Sequence, residues 1–142
     1  MNLRPMTMDD SDFMLELKND SDTRHFALLT SEEIKKEDHI KFLEKNIQYF
    51  QVIEDGGTIM QRVGAVRVQD NEVSIWVSPL FRGMNYATTT LKRVRKDGMT
   101  AKIVIGNMPS IRAFIKAGFL PEGLVPVPLT HYIFKFKAER WA

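Results

Sequence analysis

EVSIWVSPLFRGMNYATTTLKRV, residues 72–94, changes its hydrophobic period partway along. Val73-Ser74-Ile75-Trp76-Val77 alternates as a strand does, whereas Ala87, Leu91 and Val94 recur at helical spacing between Asn85 and Lys96, and Gly98 supplies a helix stop. Between them lies a turn containing Pro79, Arg82 and Gly83. A strand running through a flexible turn into a helix N-terminus presents unpaired backbone N–H groups at the positive end of the helix dipole. That arrangement suits a diphosphate.

Working outward, the downstream chain alternates between the two periods. Thr100 to Ile105 reads as a buried strand, Pro109 to Lys116 as a short helix ending at Gly118, and Thr130 to Phe136 as a last strand. Strand–helix–strand order implies a parallel crossover. Upstream, Tyr49 to Ile53, Val63 to Val68 and Val73 to Val77 form an antiparallel meander through turns at Asp55-Gly56-Gly57 and Gln69-Asp70-Asn71. Leu3 to Met6 reads as an edge strand, and Thr7 as the N-cap of a helix through Leu17 with acids in its first turn. Asn19 to Thr30 is polar and broken; a second helix follows from Ser31, with Ile40, Leu43 and Ile47 on its apolar face.

At 142 residues, the expectation is a single domain, residues 1–142. The absence of cysteine excludes disulfides, thiolate metal sites and a cysteine nucleophile, and fits a cytoplasmic setting. His25, His39 and His131 have no zinc-type spacing, and no stretch reads as a membrane span or signal peptide, so neither a metal nor a membrane is expected. Six basic residues against one acid between Arg82 and Lys102 form either a solvated helix face or a field that steers an anion. A nucleic-acid partner is not expected, because aromatic residues do not interleave these charges.

Arg82-Gly83-Met84-Asn85-Tyr86-Ala87 resembles the cofactor loop of the Gcn5-related N-acetyltransferases: Arg or Gln, two residues, Gly, one residue, then Gly or Ala. Asn85 departs from it, standing where the family usually has its middle glycine. Asn107 through Phe119, with Lys116-Ala117-Gly118-Phe119 closing a helix, is similar to the family's later segment and lies at the usual separation. The resemblance implies an α/β (α+β) fold with a mixed, mostly antiparallel sheet of six to seven strands. About four helices flank it, and it splays between the fourth and fifth strands. It also implies acetyl-CoA as co-substrate and a small-molecule or peptide amine as acceptor, in a monomer or homodimer. Pantetheine would pair with backbone at Trp76, Val77 and Ser78, and diphosphate would sit on Arg82, Gly83, Met84, Asn85, Tyr86, Ala87 and Thr88. Asn107 and Phe114 would line the cofactor, with Phe114 at a position where many relatives place a tyrosine acid.

An amine with a pKa near ~10 must lose a proton before attacking a thioester, whereas a thiol of pKa roughly 8.5 leaves with little help. Glu72 opens the central strand on the face of Ser74 and Trp76 and is the first candidate base; its alternative is an exposed carboxylate at a hairpin end. His39 and His25 are the other candidates. Phe114 donates no proton, so Tyr86, Tyr132 or water supplies one, or the thiolate leaves unassisted. Glu37-x-His39-x-x-Phe42 and Leu17-Lys18-Asn19-Asp20 through Arg24 resemble the branch that acetylates nucleotide-linked amino sugars and protein N-termini. That likeness implies acceptor contacts from Asn19, Arg24, His25 and Trp76, although Trp76 reads equally as core. A non-catalytic acetyl-CoA-binding or regulatory module is the alternative, with Asn85 and Phe114 in its favour.

Overall fold

A computed structural model describes residues 1–25, 32–126 and 130–141. Seven strands form one sheet: β1 (Asn2–Pro5), β2 (Phe50–Asp55), β3 (Gln61–Gln69), β4 (Glu72–Val77), β5 (Thr100–Val104), β6 (Phe119–Pro126) and β7 (Thr130–Phe136). Their spatial order is β1-β2-β3-β4-β5-β7-β6, antiparallel throughout except for the parallel β4–β5 neighbours. The helices are α1 (Ser11–Asn19), α2 (Ser21–His25), α3 (Lys36–Asn46), α4 (Tyr86–Val94) and α5 (Met108–Lys116). The expected mixed sheet with its flanking helices is what forms.

Side-chain alternation divides the core between the two sheet faces. Val73, Ala101, Phe134 and Phe136 pack with Leu91 of α4 and Phe114 of α5. Phe50, Val52 and Ala65 pack on the other face with Met14 and Leu17 of α1 and Leu43 of α3. Met14, Leu43 and Leu91 are fully enclosed; truncating a side chain in such a position costs roughly 2–5 kcal/mol.

Three departures from the expected elements have local causes. The Asp20 carboxylate accepts the Thr23 N–H at 3.2 Å, capping the short helix α2 inside a stretch that reads as irregular. The second long helix begins at Lys36 rather than near Ser31, which lies outside the described residues. Asn19 donates to the Ile34 carbonyl at 3.0 Å and accepts its N–H at 2.7 Å, holding that backbone out of a helix. Strand β6 is masked in the sequence by Pro121, Gly123 and Pro126, and its register against β7 shifts between Pro121 and Gly123.

Asp70 and Asn71, with φ of 51° and 58°, make the two-residue turn that sets the β3–β4 register. Thr100 N–H then donates to the Asn71 carbonyl at 2.9 Å, tying β5 to the start of β4. Glu72 opposite Thr100 is the β4–β5 pair among the described residues; beyond it the strands part.

Candidate active site

The parting of β4 and β5 opens a cavity of about 1180 Å³, above the usual size of a single small-molecule pocket and suited to two ligands at once. Alternation of the ladder decides which backbone faces it. Ser78 N–H donates to the Val63 carbonyl at 2.8 Å, and the Ser78 carbonyl accepts the Phe81 N–H at 2.9 Å. Trp76, two residues back, points its backbone toward β3 in the same way, so Ile75 and Val77 turn theirs toward the gap. Of the backbone at Trp76, Val77 and Ser78, where a pantetheine arm was expected, the ladder leaves Val77 facing the gap beside Ile75 and turns Trp76 and Ser78 away from it. Gly64 makes this geometry possible, since a Cβ there would meet the Trp76 carbonyl oxygen at 2.2 Å.

At the cavity's far end the turn before α4 contains two left-handed residues, Gly83 at φ 78° and Asn85 at φ 69°. Alternating conformations of this kind converge successive N–H groups into an anion nest. The helix's own ladder begins only with Thr89 N–H to the Asn85 carbonyl at 3.0 Å, so the N–H groups of Tyr86, Ala87 and Thr88 are open. Gly83, Asn85, Ala87 and Thr88 line the cavity, whereas Met84 is exposed and does not. A Cβ on Gly83 would meet nothing, leaving φ as the reason for glycine there. Asn107 begins α5 without a side-chain capping bond and lines the cavity. These donors fit an extended ligand ending in phosphates.

A family model described as an acetyltransferase (GNAT) domain matches residues 1–120. The chain belongs to the GNAT acetyltransferase family. A GNAT-family acetyltransferase from Bacillus anthracis superposes with a TM-score of 0.81 at 19% identity, over 96% of this chain and 94% of that one. A putative acetyltransferase from Salmonella typhimurium, solved with its cofactor acetyl-CoA, gives 0.75 at 20% identity over 96% and 93%. Ribosomal-protein-alanine N-acetyltransferase from Brucella melitensis gives 0.73 at 20% identity over 94% and 98%. A search of curated protein sequences found no match.

In this GNAT fold the other half of the cavity lies on the α1–α3 face. Glu72, Ser74 and Trp76 share that face, and Glu72 sits 3.7 Å from Lys102 Nζ. Trp76 is both wall and core: it stacks on Phe50 at 5.9 Å between ring centroids while lining the cavity. Arg24 also lines it, its Nε bonded to the Asn19 carbonyl at 3.1 Å. Asn19 is spent bracing Ile34 and is not part of the lining. His25, exposed at the end of α2, does not line it either.

His39 is placed differently from the expectation of a base. It is 1% exposed and donates Nε2–H to the Ser11 carbonyl at 3.1 Å, joining α3 to α1. Burial pushes its pKa down, and the nearby Lys18 charge adds to this. The acid alternatives are also engaged elsewhere. Tyr86 donates its hydroxyl to Asp55 at 2.7 Å, which raises its pKa; Tyr132 packs edge-on against Phe134 and is not in the lining. Phe114, 3% exposed, joins the α4–α5 core and reaches the cavity wall.

The basic stretch is largely consumed by structure. Arg82 pairs with Asp20 at 2.7 Å and Asp22 at 3.1 Å, fastening the phosphate loop to α2. Arg93 donates to the Met1 carbonyl and Arg95 to the Ala117 carbonyl.

Among the cavity residues that the sequence did not mark as candidates for the site are Lys18, Arg67 and His131. Arg67 was within reach, because the Asp70-Asn71 turn fixes Arg67 opposite Ser74 and hence on the face of Glu72. His131 is 6% exposed, opposite Val104 on β5, and among the described residues neither of its ring nitrogens has a hydrogen-bond partner. No local signal marks it, since its place depends on a long-range strand pairing.

Proposed function

We propose that this acetyltransferase moves an acetyl group from acetyl-CoA directly to a primary amine, both substrates being held together in the β4–β5 cavity. The observation that carries the reading is the alignment of three donor sets along one opening: the Ile75–Val77 backbone, the Asn107 side chain and the N-terminus of α4. Acetyl-CoA supplies an activated acyl group on a thiol that leaves readily. The chain's part is to hold that ligand extended, orient the amine against it, and remove the amine's proton. With no cysteine in the sequence, no thiol of the protein takes part.

Glu72 is the proposed proton acceptor, directly or through one water, from the start of β4 at the narrow end of the gap. A second reading gives the proton to His131, and its support is the pair of buried ring nitrogens that have no partner among the described residues. His39 and His25 have no part in this scheme. The acceptor reaches the cavity from the α1–α2 side, past Arg24 and Trp76.

Release of free thiol from acetyl-CoA, measured across a panel of amines, tests the proposal, with no thiol background from the protein itself. If Glu72 is the base, Glu72→Gln lowers kcat by roughly 10²–10⁴-fold and leaves the KM for acetyl-CoA near that of the unaltered protein. The same loss in His131→Gln, with Glu72→Gln active, selects the second reading. Tight acetyl-CoA binding without turnover of any amine replaces both with a non-catalytic binding module.

A further inference from the structure

We propose that Lys18 and Arg67 form an anion-binding subsite in the acceptor half of the cavity, so that the amine acetylated belongs to a small molecule carrying a carboxylate or phosphate. The inference rests on the acetyl-transfer reading above and names its class of acceptor.

Both cations line the cavity, and both are half-buried. Lys18 Nζ lies 3.9 Å from the Phe42 ring centroid and 5.7 Å from that of Phe50, so its partners are aromatic faces. Arg67 donates its Nε, at 3.1 Å, and its Nη2 to the neutral Gln69 Oε1, which leaves Nη1 toward a ligand. Among the described residues neither cation makes an ion pair with a carboxylate. The acids nearby are committed or peripheral: Glu72 faces Lys102, Asp22 pairs with Arg82, and Glu32 is exposed. Two like charges half-removed from water, without a counter-charge, are costly to hold. Burial and, to a lesser degree, Arg67 depress the Lys18 ammonium to about 8. An anionic ligand group removes that cost and gains charge-assisted hydrogen bonds from the guanidinium.

Spacing limits the size of the acceptor. Arg67 lies opposite Ser74 and Ala65 opposite Trp76, one side-chain layer apart on the same face, or about 7 Å along a strand. An anion on Arg67 and an amine beside the open β4 backbone therefore fit one small molecule. The same wall repels polyamines, which bring only positive charge.

The test compares matched amines: an amino acid with its own amide, an aminoalkyl phosphate with its alcohol, and a linear polyamine. The expected result is a kcat/KM for one of the anionic members roughly 10- to 100-fold above its neutral partner. The responding pair tells carboxylate from phosphate. Arg67→Met and Lys18→Met should collapse that ratio toward unity with the KM for acetyl-CoA unchanged, and Arg67→Lys should restore part of it. Thermal melts of each variant separate a lost subsite from a lost fold. Equal or better turnover of the neutral members or the polyamine, or ratios indifferent to both substitutions, overturns the inference while leaving acetyl transfer intact. If no amine is turned over, the functional reading fails instead. Calorimetric titration of the CoA-loaded protein with the same pairs then decides the subsite, and equal affinities for acid and amide reject it.

Discussion

Replacing Lys18 by methionine should stabilise the protein at neutral pH while removing a group proposed to hold the acceptor. Methionine keeps the apolar stem against Phe42 and Phe50 and deletes the charge. Lys18 is depressed from 10.5 to about 8, burial being the larger cause and Arg67 the smaller. A base whose folded pKa lies below its unfolded value binds its proton more weakly when folded. Its penalty is therefore complete below pH 8 and fades as pH rises from about 8 toward 10.5. At about 1.4 kcal/mol per unit the penalty is at most roughly 3–4 kcal/mol. The aromatic contacts return about 0.5–1 kcal/mol to the charged form, leaving a net gain of about 2–3 kcal/mol for Lys18→Met at pH 7. Urea unfolding at pH 7 and at pH 9.5 measures it, and by pH 9.5 the advantage should shrink by about half or more. A variant less stable than the parent at pH 7, or an advantage that ignores pH, would refute the reasoning.

Three further outcomes follow from the geometry. Gly64→Ala places a Cβ 2.2 Å from the Trp76 carbonyl oxygen, so the β3–β4 ladder must shift; a loss of about 2 kcal/mol or more is expected in thermal melts, together with a raised KM for acetyl-CoA. Asn85→Gly relieves a left-handed non-glycine residue at φ 69° and should add about 1 kcal/mol of stability without weakening acetyl-CoA binding in a titration. Asp10 is held at about 2 by Arg4, whose two terminal nitrogens each reach a carboxylate oxygen at 2.8 Å. Its carboxylate therefore contributes stability above pH 3.8 that is lost as pH falls toward 2, and Asp10→Asn should cost about 2–3 kcal/mol at pH 7 and flatten that acid limb of the unfolding curve.

The proposed cofactor half of the candidate site was legible because its information is local. The strand period, the turn glycine and the helix period lie within residues 72–94, and the left-handed loop needs only Gly83 and Asn85. Asn107 was legible as a candidate, and the fold puts it on the cavity wall, though its lack of a capping bond was not legible. The acceptor half depends on how distant elements meet. His39 sits in a motif-like helix, yet the register of α3 on α1 turns it into the core and leaves Phe42 beneath Lys18. Lys18 reads only as one member of a motif-like segment until its burial and the nearness of Arg67 are known. Asn19 and Arg82 show the opposite displacement: polar residues of a ligand-like motif here brace Ile34 and α2. In the fold, β6 was obscured by its prolines and glycine, because local propensity argued against a strand that pairing with β7 supports.

Backbone amide hydrogen exchange with and without acetyl-CoA tests the central claim most directly, since it reads the proposed donors themselves and requires no acceptor. Slowed exchange is predicted at Ile75, Val77, Tyr86, Ala87 and Thr88, with the β1–β2 edge unchanged. Exchange at those five amides that is indifferent to saturating acetyl-CoA would contradict the account.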